Sequence, residues 1–323
     1  MKRLRWLRSA GGAAFLGVGL GLMISISQAG RADSGGDLNL QLAPKDYPYT
    51  FAVDGDTRFT HVPTASDAAK RQAIVQKLTK ERPDFIVING DVVYNGFDKQ
   101  DWSVFDSETA FLRDEGVKIF PALGNHDIRG GEDGLRNYFA HFPDLKGHHW
   151  YSLRYGNSLL LSLDSMSDDT PGSPQGKWLA SKLNSIPADV DFVFLSLHHP
   201  LYTKSSEHLM GGGHSTRPEE QQLAHFLEQK AAGMKQKIVV VAGHVHNYER
   251  YERGGVMYIT AGGGGAPPYM IDRSPNDFYN QPGPTYHYCT VKVDHGKLHF
   301  EMHKLEANGD FKVEDKFDLS TGK

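Results

Sequence analysis

The run Asp84-Phe85-Ile86-Val87-Ile88-Asn89, with Pro83 before it and Gly90-Asp91 after it, decides the fold. Its centre is continuously apolar instead of alternating, as expected of a strand covered on both faces. To its N-terminal side, Tyr47 to Val53 is a short β-type run that ends at Asp54-Gly55-Asp56. To its C-terminal side, Val117 to Leu123 is another, closed by Gly124-Asn125. Between these runs, Thr64 to Lys80 carries Ala68, Ile74, Val75 and Leu78 at helical spacing, and Gln100 to Glu115 carries Trp102, Phe105, Phe111 and Leu112. The order β-α-β-α-β predicts right-handed crossovers and a parallel sheet. All three strands close on Gly-Asp or Gly-Asn. Because ligands of open α/β sheets bind beyond the carboxyl ends of the strands, Asp56, Asp91 and Asn125 are expected to gather at one edge.

The rest of the chain adds strands and two more helices. His149 to Tyr155 and Ser158 to Asp164 read as a hairpin about Gly156-Asn157. Pro174 to Ile186 and Arg217 to Ala232 read as helices, and Phe192 to Leu197 as a strand ending at His198-His199-Pro200. Ser205 to Ser215 is a glycine-rich loop with two further histidines. Lys237 to Ala242 is a buried strand, followed by Gly243-His244-Val245-His246. In an extended segment, the i, i+2 spacing would point both imidazoles to the same side. Val256 to Thr260, Tyr286 to Val293 and Lys297 to Lys304 are β-type, the last two a hairpin about His295-Gly296.

The single cysteine, Cys289, excludes an intrachain disulfide. Residues 1–29 differ from the rest: Lys2, Arg3, Arg5 and Arg8 precede an apolar run from Gly11 to Ile26, and Ser27-Gln28-Ala29 supplies small residues for cleavage. The expectation is a signal peptide over 1–29 and an exported protein with no stable membrane insertion after cleavage, the alternative being an uncleaved anchor. Residues 30–46 read as a linker, 47–310 as the catalytic domain and 311–323 as a C-terminal tail. Losing the four basic residues makes the formal charge, −4 for the whole chain, four units more negative. Such an acidic chain argues against nucleic acid as a partner and suits a site that holds multivalent cations.

The strand ends present Asp56, Asp91 with Tyr94, Asn125 with His126, His198, and His244 with His246. These are oxygen and imidazole donors without a thiolate, a mix that suits iron, zinc or manganese. Taken singly, the aspartates are turn residues and the histidines structural as often as not. Together they resemble a known family. The blocks Gly55-Asp56, Gly90-Asp91-Val92-Val93-Tyr94, Gly124-Asn125-His126-Asp127, Leu195-Ser196-Leu197-His198 and Gly243-His244-Val245-His246 are similar to the five metal-ligand blocks of calcineurin-like metallophosphoesterases. Tyr94 three residues after Asp91, and the runs His198 to Tyr202 and His246 to Arg250, resemble the purple acid phosphatase branch.

The resemblance implies a four-layer αββα sandwich of two mixed sheets in the α/β (α+β) class. It implies two metal ions, Fe(III) plus a divalent iron, zinc or manganese. Asp91 would bridge them. Asp56, Tyr94 and His246 would complete the ferric position, and Asn125, His198 and His244 the divalent one. A metal-bound hydroxide would attack a small-molecule phosphate ester, with His126 at the phosphate or leaving group and His208 facing the substrate. The activity implied is acid phosphatase on phosphomonoesters, with a phosphodiesterase or nucleotidase as the alternative. A non-catalytic phosphate- or metal-binding module would predict a missing ligand, and none of the five blocks lacks its residue. Arg58 departs from the family, which has Gly or His there. It cannot ligate a metal but can bind a phosphate oxygen bidentately. His199 and His214 are further candidates for facing substrate. Asp54 also offers a carboxylate, so the choice between it and Asp56 stays open, with Asp56 favoured.

Overall fold

The structure, a computed structural model, describes residues 37–43, 46–206 and 214–321. The signal-peptide reading of 1–29 and the substrate-facing reading of His208 both lie outside the described residues.

Two mixed sheets form the body. The first contains β2 (Tyr49–Asp54), β3 (Phe85–Ile88) and β4 (Lys118–Pro121), parallel to one another. It continues through β11 (His287–Asp294), β12 (Lys297–Leu305) and β13 (Phe311–Ser320) in the order β13-β12-β11-β2-β3-β4. The second contains β1 (Asn39–Gln41), β5 (Tyr151–Tyr155), β6 (Ser158–Ser162), β7 (Phe192–Leu197), β8 (Lys237–Ala242), β9 (Tyr248–Arg253) and β10 (Val256–Ala261). Its order is β1-β5-β6-β7-β8-β10-β9, with β6, β7, β8 and β10 parallel.

The sheets pack face to face, and the period of two sorts the side chains. In β7, Phe192 and Phe194 join the inter-sheet core, where Phe194 meets Phe51 of β2 edge-on at 5.0 Å. Val193 and Leu195 point the other way. They pack with Leu179 and Leu183 of α5 (Pro174–Asn184) and Leu223 and Leu227 of α6 (Pro218–Ala231). On the six-stranded side, Ile74, Val75 and Leu78 of α1 (Ala68–Glu81) are buried. Asp67 starts that helix by accepting from Lys70 N, and Arg82 ends it in the left-handed region.

Four sequence expectations are corrected. The helix expected over 100–115 is two, α2 (Lys99–Glu108) and α3 (Ala110–Asp114), with Thr109 between them bonding its Oγ1 to Phe105 O. The break turns Phe111 outward, 71% exposed. An unforeseen α4 (Glu132–His141) follows Gly130-Gly131. Residues 39–41 of the expected linker pair with β5 in parallel. The expected tail 311–323 instead supplies β13, which lies along the whole of β12 and carries Phe311, Phe317 and Leu319 onto the core.

Candidate metal centre

The carboxyl ends of β2, β3, β4, β7 and β8 meet at one edge, and each is followed by a site residue. Backbone bonds lace the loops together there: Asp56 N donates to Gly90 O at 3.1 Å, Arg58 N to Asp91 O at 2.9 Å and Gly243 N to His198 O at 3.0 Å. Asn89 joins the two sheets. Its carbonyl accepts His198 Nδ1 at 2.9 Å and its Oδ1 accepts Ser196 Oγ at 2.9 Å. Gly90 is required twice over. Its φ is +80°, and a Cβ there would stand 2.5 Å from His198 Nδ1. Gly243 is required because a Cβ would stand 2.5 Å from Asn89 O and 2.7 Å from Asp56 Oδ2.

Two groups of donors form around Asp91. In the first, His198 spends its Nδ1–H on Asn89 O, so its Nε2 offers a lone pair. Around that atom stand Asn125 Oδ1 at 3.0 Å, His244 Nδ1 at 3.1 Å and Asp91 Oδ1 at 3.3 Å. In the second, His246 spends Nδ1–H on Pro267 O at 2.8 Å and turns Nε2 toward Asp56 Oδ1 at 3.4 Å. Both of these facing atoms are buried without a hydrogen-bond partner. Buried lone pairs that face one another repel unless positive charge lies between them. The donor chemistry therefore fits a cation in each group, and His198 and His246 each have their other nitrogen fixed by a backbone carbonyl, as metal-binding histidines do. Burial keeps the imidazoles neutral, the form that ligates: His246 falls to about 3 and His244 well below its ordinary value.

The carboxylates differ. Burial raises Asp56 to about 7, with the nearby Asp91 charge adding to the rise and Arg58 opposing it. Asp91 is also fully buried, yet His198, Arg58 and His126 hold it well below the carboxylate range. Its Oδ1 accepts His126 N at 2.9 Å, and its Oδ2 accepts Arg58 Nε and Nη2 at 3.2 and 3.0 Å. Asp54 bonds its own turn instead, accepting Gly55 N at 2.8 Å, while Asp56 lies with Asp91 and His198.

The two histidines of the 243–247 segment reach different groups by a route the extended reading did not foresee. His244 is left-handed, φ 67°, and Val245 N and Asn247 N bond back two residues to Gly243 O and Val245 O. These tight turns swing the imidazoles apart. His244 N is held by Asp56 Oδ2 at 2.7 Å.

The structure brings Asp56, Arg58, Asp91, Asn125, His126, His198, His244 and His246 together. Tyr94 lies beside them: its ring is 5.1 Å from that of His126, and its carbonyl accepts His126 Nδ1 at 2.7 Å. His199 is buried and bonded to Ser165 Oγ, its ring 4.3 Å from that of His244, so it backs a donor. His214 has its ring 4.1 Å from that of His244. Three contributors were missed from the sequence. Asp127 accepts Gly124 N and Val93 N, tying the second and third blocks. Tyr269 stacks on His246 at 4.1 Å. Arg129 donates Nη2–H to His126 Nε2 at 3.0 Å. Asp127 stood inside a recognised block without a role assigned to it, and Arg129 two residues beyond. Nothing local marks Tyr269, which arrives by a loop.

The model of the calcineurin-like phosphoesterase family matches residues 49–248. The chain belongs to that family. Among curated relatives of this phosphoesterase, a phosphoenolpyruvate phosphatase of Allium cepa is 25% identical over 257 residues, covering 72% of this chain and 49% of its own. Purple acid phosphatase 1 of Ipomoea batatas is 27% identical over 230 residues, covering 64% and 44%. The chain thus spans about half the length of these relatives. In fold it is similar to a purple acid phosphatase from yellow lupin (Lupinus luteus) seeds, with TM-score 0.71, 18% identity, and coverage of 86% of this chain and 55% of that one.

Proposed function

We propose that the protein is an exported hydrolase of small-molecule phosphate esters, with phosphomonoesters as the preferred class, working with two metal ions. One observation carries this reading: buried donors converge in two groups, and Asp91, which stands in the first, offers a carboxylate oxygen within 4.8 Å of one on Asp56 in the second. The likeness to purple acid phosphatases supports iron(III) with Asp56, Asp91, Tyr94 and His246, and a divalent ion with Asp91, Asn125, His198 and His244. When bound, the ions supply Lewis acidity and charge neutralisation for displacement at phosphorus.

The chain's own residues do the rest. Asp91 holds both groups in register. Arg58 lies against Asp91 and can offer remaining N–H groups to a phosphate oxygen. His126 donates from Nδ1 to Tyr94 O and accepts at Nε2 from Arg129, so its ring is neutral and both nitrogens are engaged. Burial lowers it to about 3, in agreement. It therefore orients neighbouring groups at the phosphate. Export rests on the sequence of residues 1–29. Among the described residues no helix is long and apolar enough to cross a membrane.

The test is a metal count per purified chain together with assays on mono- and diesters. Two ions and faster monoester hydrolysis are expected, and Asp91→Asn should lose at least one ion and about 10³-fold or more in kcat. Faster diester hydrolysis would move the assignment to a phosphodiesterase. Fewer than two ions with no ester cleaved would overturn it.

A further inference from the structure

We propose that Arg129 is a specificity-determining residue that selects phosphate esters whose leaving group carries its own oxyanion. This inference rests on the phosphoesterase reading above. Arg129 stands three residues after His126 and forms no part of the five donor blocks. Its Nη1 donates to Tyr94 O and Asn95 Oδ1, both at 3.2 Å, and its Nη2 to His126 Nε2 at 3.0 Å. The guanidinium lies over the Tyr94 ring, 4.8 Å from its centroid. It is thus fixed in place by two acceptors, an imidazole and an aromatic face.

All of these partners are neutral. Among the described residues Arg129 has no carboxylate partner, whereas Arg58, Arg71, Arg217 and Arg250 each pair with one. Arg58 already gives its charge to Asp91. Arg129 is therefore the cation at this site whose charge is not balanced by a side chain. It is half-buried, one imidazole away from Asp91, with His126 Nε2 3.8 Å from Asp91 Oδ2. A guanidinium has five N–H groups in a rigid fork, and three bonds to protein leave part of that fork available. An unbalanced, oriented guanidinium beside a phosphoryl-transfer centre is matched by an oxyanion, held by charge-assisted and often bidentate bonds. On the phosphoesterase reading, the phosphoryl group under attack would be held by the ions and Arg58. The second anion must then sit on the part of the substrate that departs, as the inner phosphate of a nucleoside diphosphate or as a carboxylate.

The test compares wild type with Arg129→Gln and Arg129→Lys on ADP, phosphoglycolate and 4-nitrophenyl phosphate, with metal content and thermal midpoint measured in parallel. The ratio of kcat/KM for a charged leaving group to that for 4-nitrophenyl phosphate should fall about 10- to 100-fold in Arg129→Gln, chiefly through KM. Arg129→Lys should recover part of it, with metal content unchanged. A fall for ADP alone assigns the second anion to phosphate, and a fall for phosphoglycolate alone assigns it to carboxylate. Parallel losses on all three substrates, or loss of metal, would show Arg129 to be a support for His126 and overturn the proposal. Calorimetric binding of inorganic diphosphate against inorganic phosphate, on the metal-loaded chain, gives a readout independent of turnover. Diphosphate must lose more affinity than phosphate in Arg129→Gln, and equal losses contradict the inference. No cleavage of any ester by wild type, with the diphosphate preference intact, would instead remove the phosphoesterase reading alone.

Discussion

Tyr94 shows how far a residue's identity runs ahead of its geometry. Three residues after Asp91, it was named as a phenolate donor because of the company it keeps in the sequence. In the structure its carbonyl holds His126 and its ring carries Arg129. These two roles need a tyrosine or phenylalanine ring and a backbone carbonyl. The donor role needs the hydroxyl. Tyr94→Phe separates them: the iron-loaded variant should lose its visible charge-transfer band while keeping its fold and thermal midpoint, read by absorption spectroscopy and calorimetry. A band of undiminished intensity would remove Tyr94 from the donor set. The other donors were legible because each follows a glycine or a core strand directly, except His246, which stands two residues after His244. Asp127, Arg129 and Tyr269 were not, because their value lies in what they touch across the site: Gly124 N and Val93 N, His126 Nε2, and the His246 ring.

At the scale of elements, strands buried on both faces and helices with regular apolar spacing were readable. Elements whose pattern a polar residue interrupts were not. β13 alternates Phe311, Val313, Asp315, Phe317 and Leu319, and the acid in the middle disguises the period. The fold accommodates Asp315 by pairing it with Arg250 at 2.7 Å and with the Tyr248 hydroxyl at 2.8 Å, both on β9. α4 was hidden by Gly130-Gly131 before it and Gly134 within it. A comparable polar link joins α1 to α2. Arg71, 1% exposed, gives Nε and Nη2 to the carboxylate of Glu108 at 2.9 and 2.8 Å, and Nη1 to Ser66 Oγ and to Arg58 O. It thereby fixes the loop that carries Arg58. Arg71→Met leaves Glu108 without its cation, bonded only by Gln72 Nε2 at 3.1 Å, and should cost about 3–5 kcal/mol in denaturant unfolding. A loss below about 1 kcal/mol would show the pair to be incidental.

For the whole molecule, stability depends on pH through buried carboxyls away from the centre. Asp169 is 1% exposed, and both carboxyl oxygens lack a hydrogen-bond partner. Burial, reinforced by the nearby Glu220 charge, raises it to about 7. An acid raised on folding holds a proton that the unfolded chain has released, so stability falls as pH rises from about 4 to about 7. Asp169→Asn removes that loss. Relative to wild type, the variant should gain about 1–3 kcal/mol between pH 5 and pH 8, measured by denaturant unfolding at each pH. A difference independent of pH would contradict the assignment. Sequence could not show this. Asp169 sits among exposed-looking neighbours in a loop, and only its burial near Glu220 of α6 makes it an interior acid.

The five strand ends converge because two parallel runs, β2-β3-β4 and β7-β8, point the same edge of both sheets at one place. Whether that place holds two ions across Asp91 is read most directly by anomalous diffraction from crystals of the metal-loaded chain. The account predicts two peaks on either side of Asp91, one within ligand distance of Asn125, His198 and His244, the other of Asp56 and His246. A single peak, or two peaks not shared by Asp91, would contradict it.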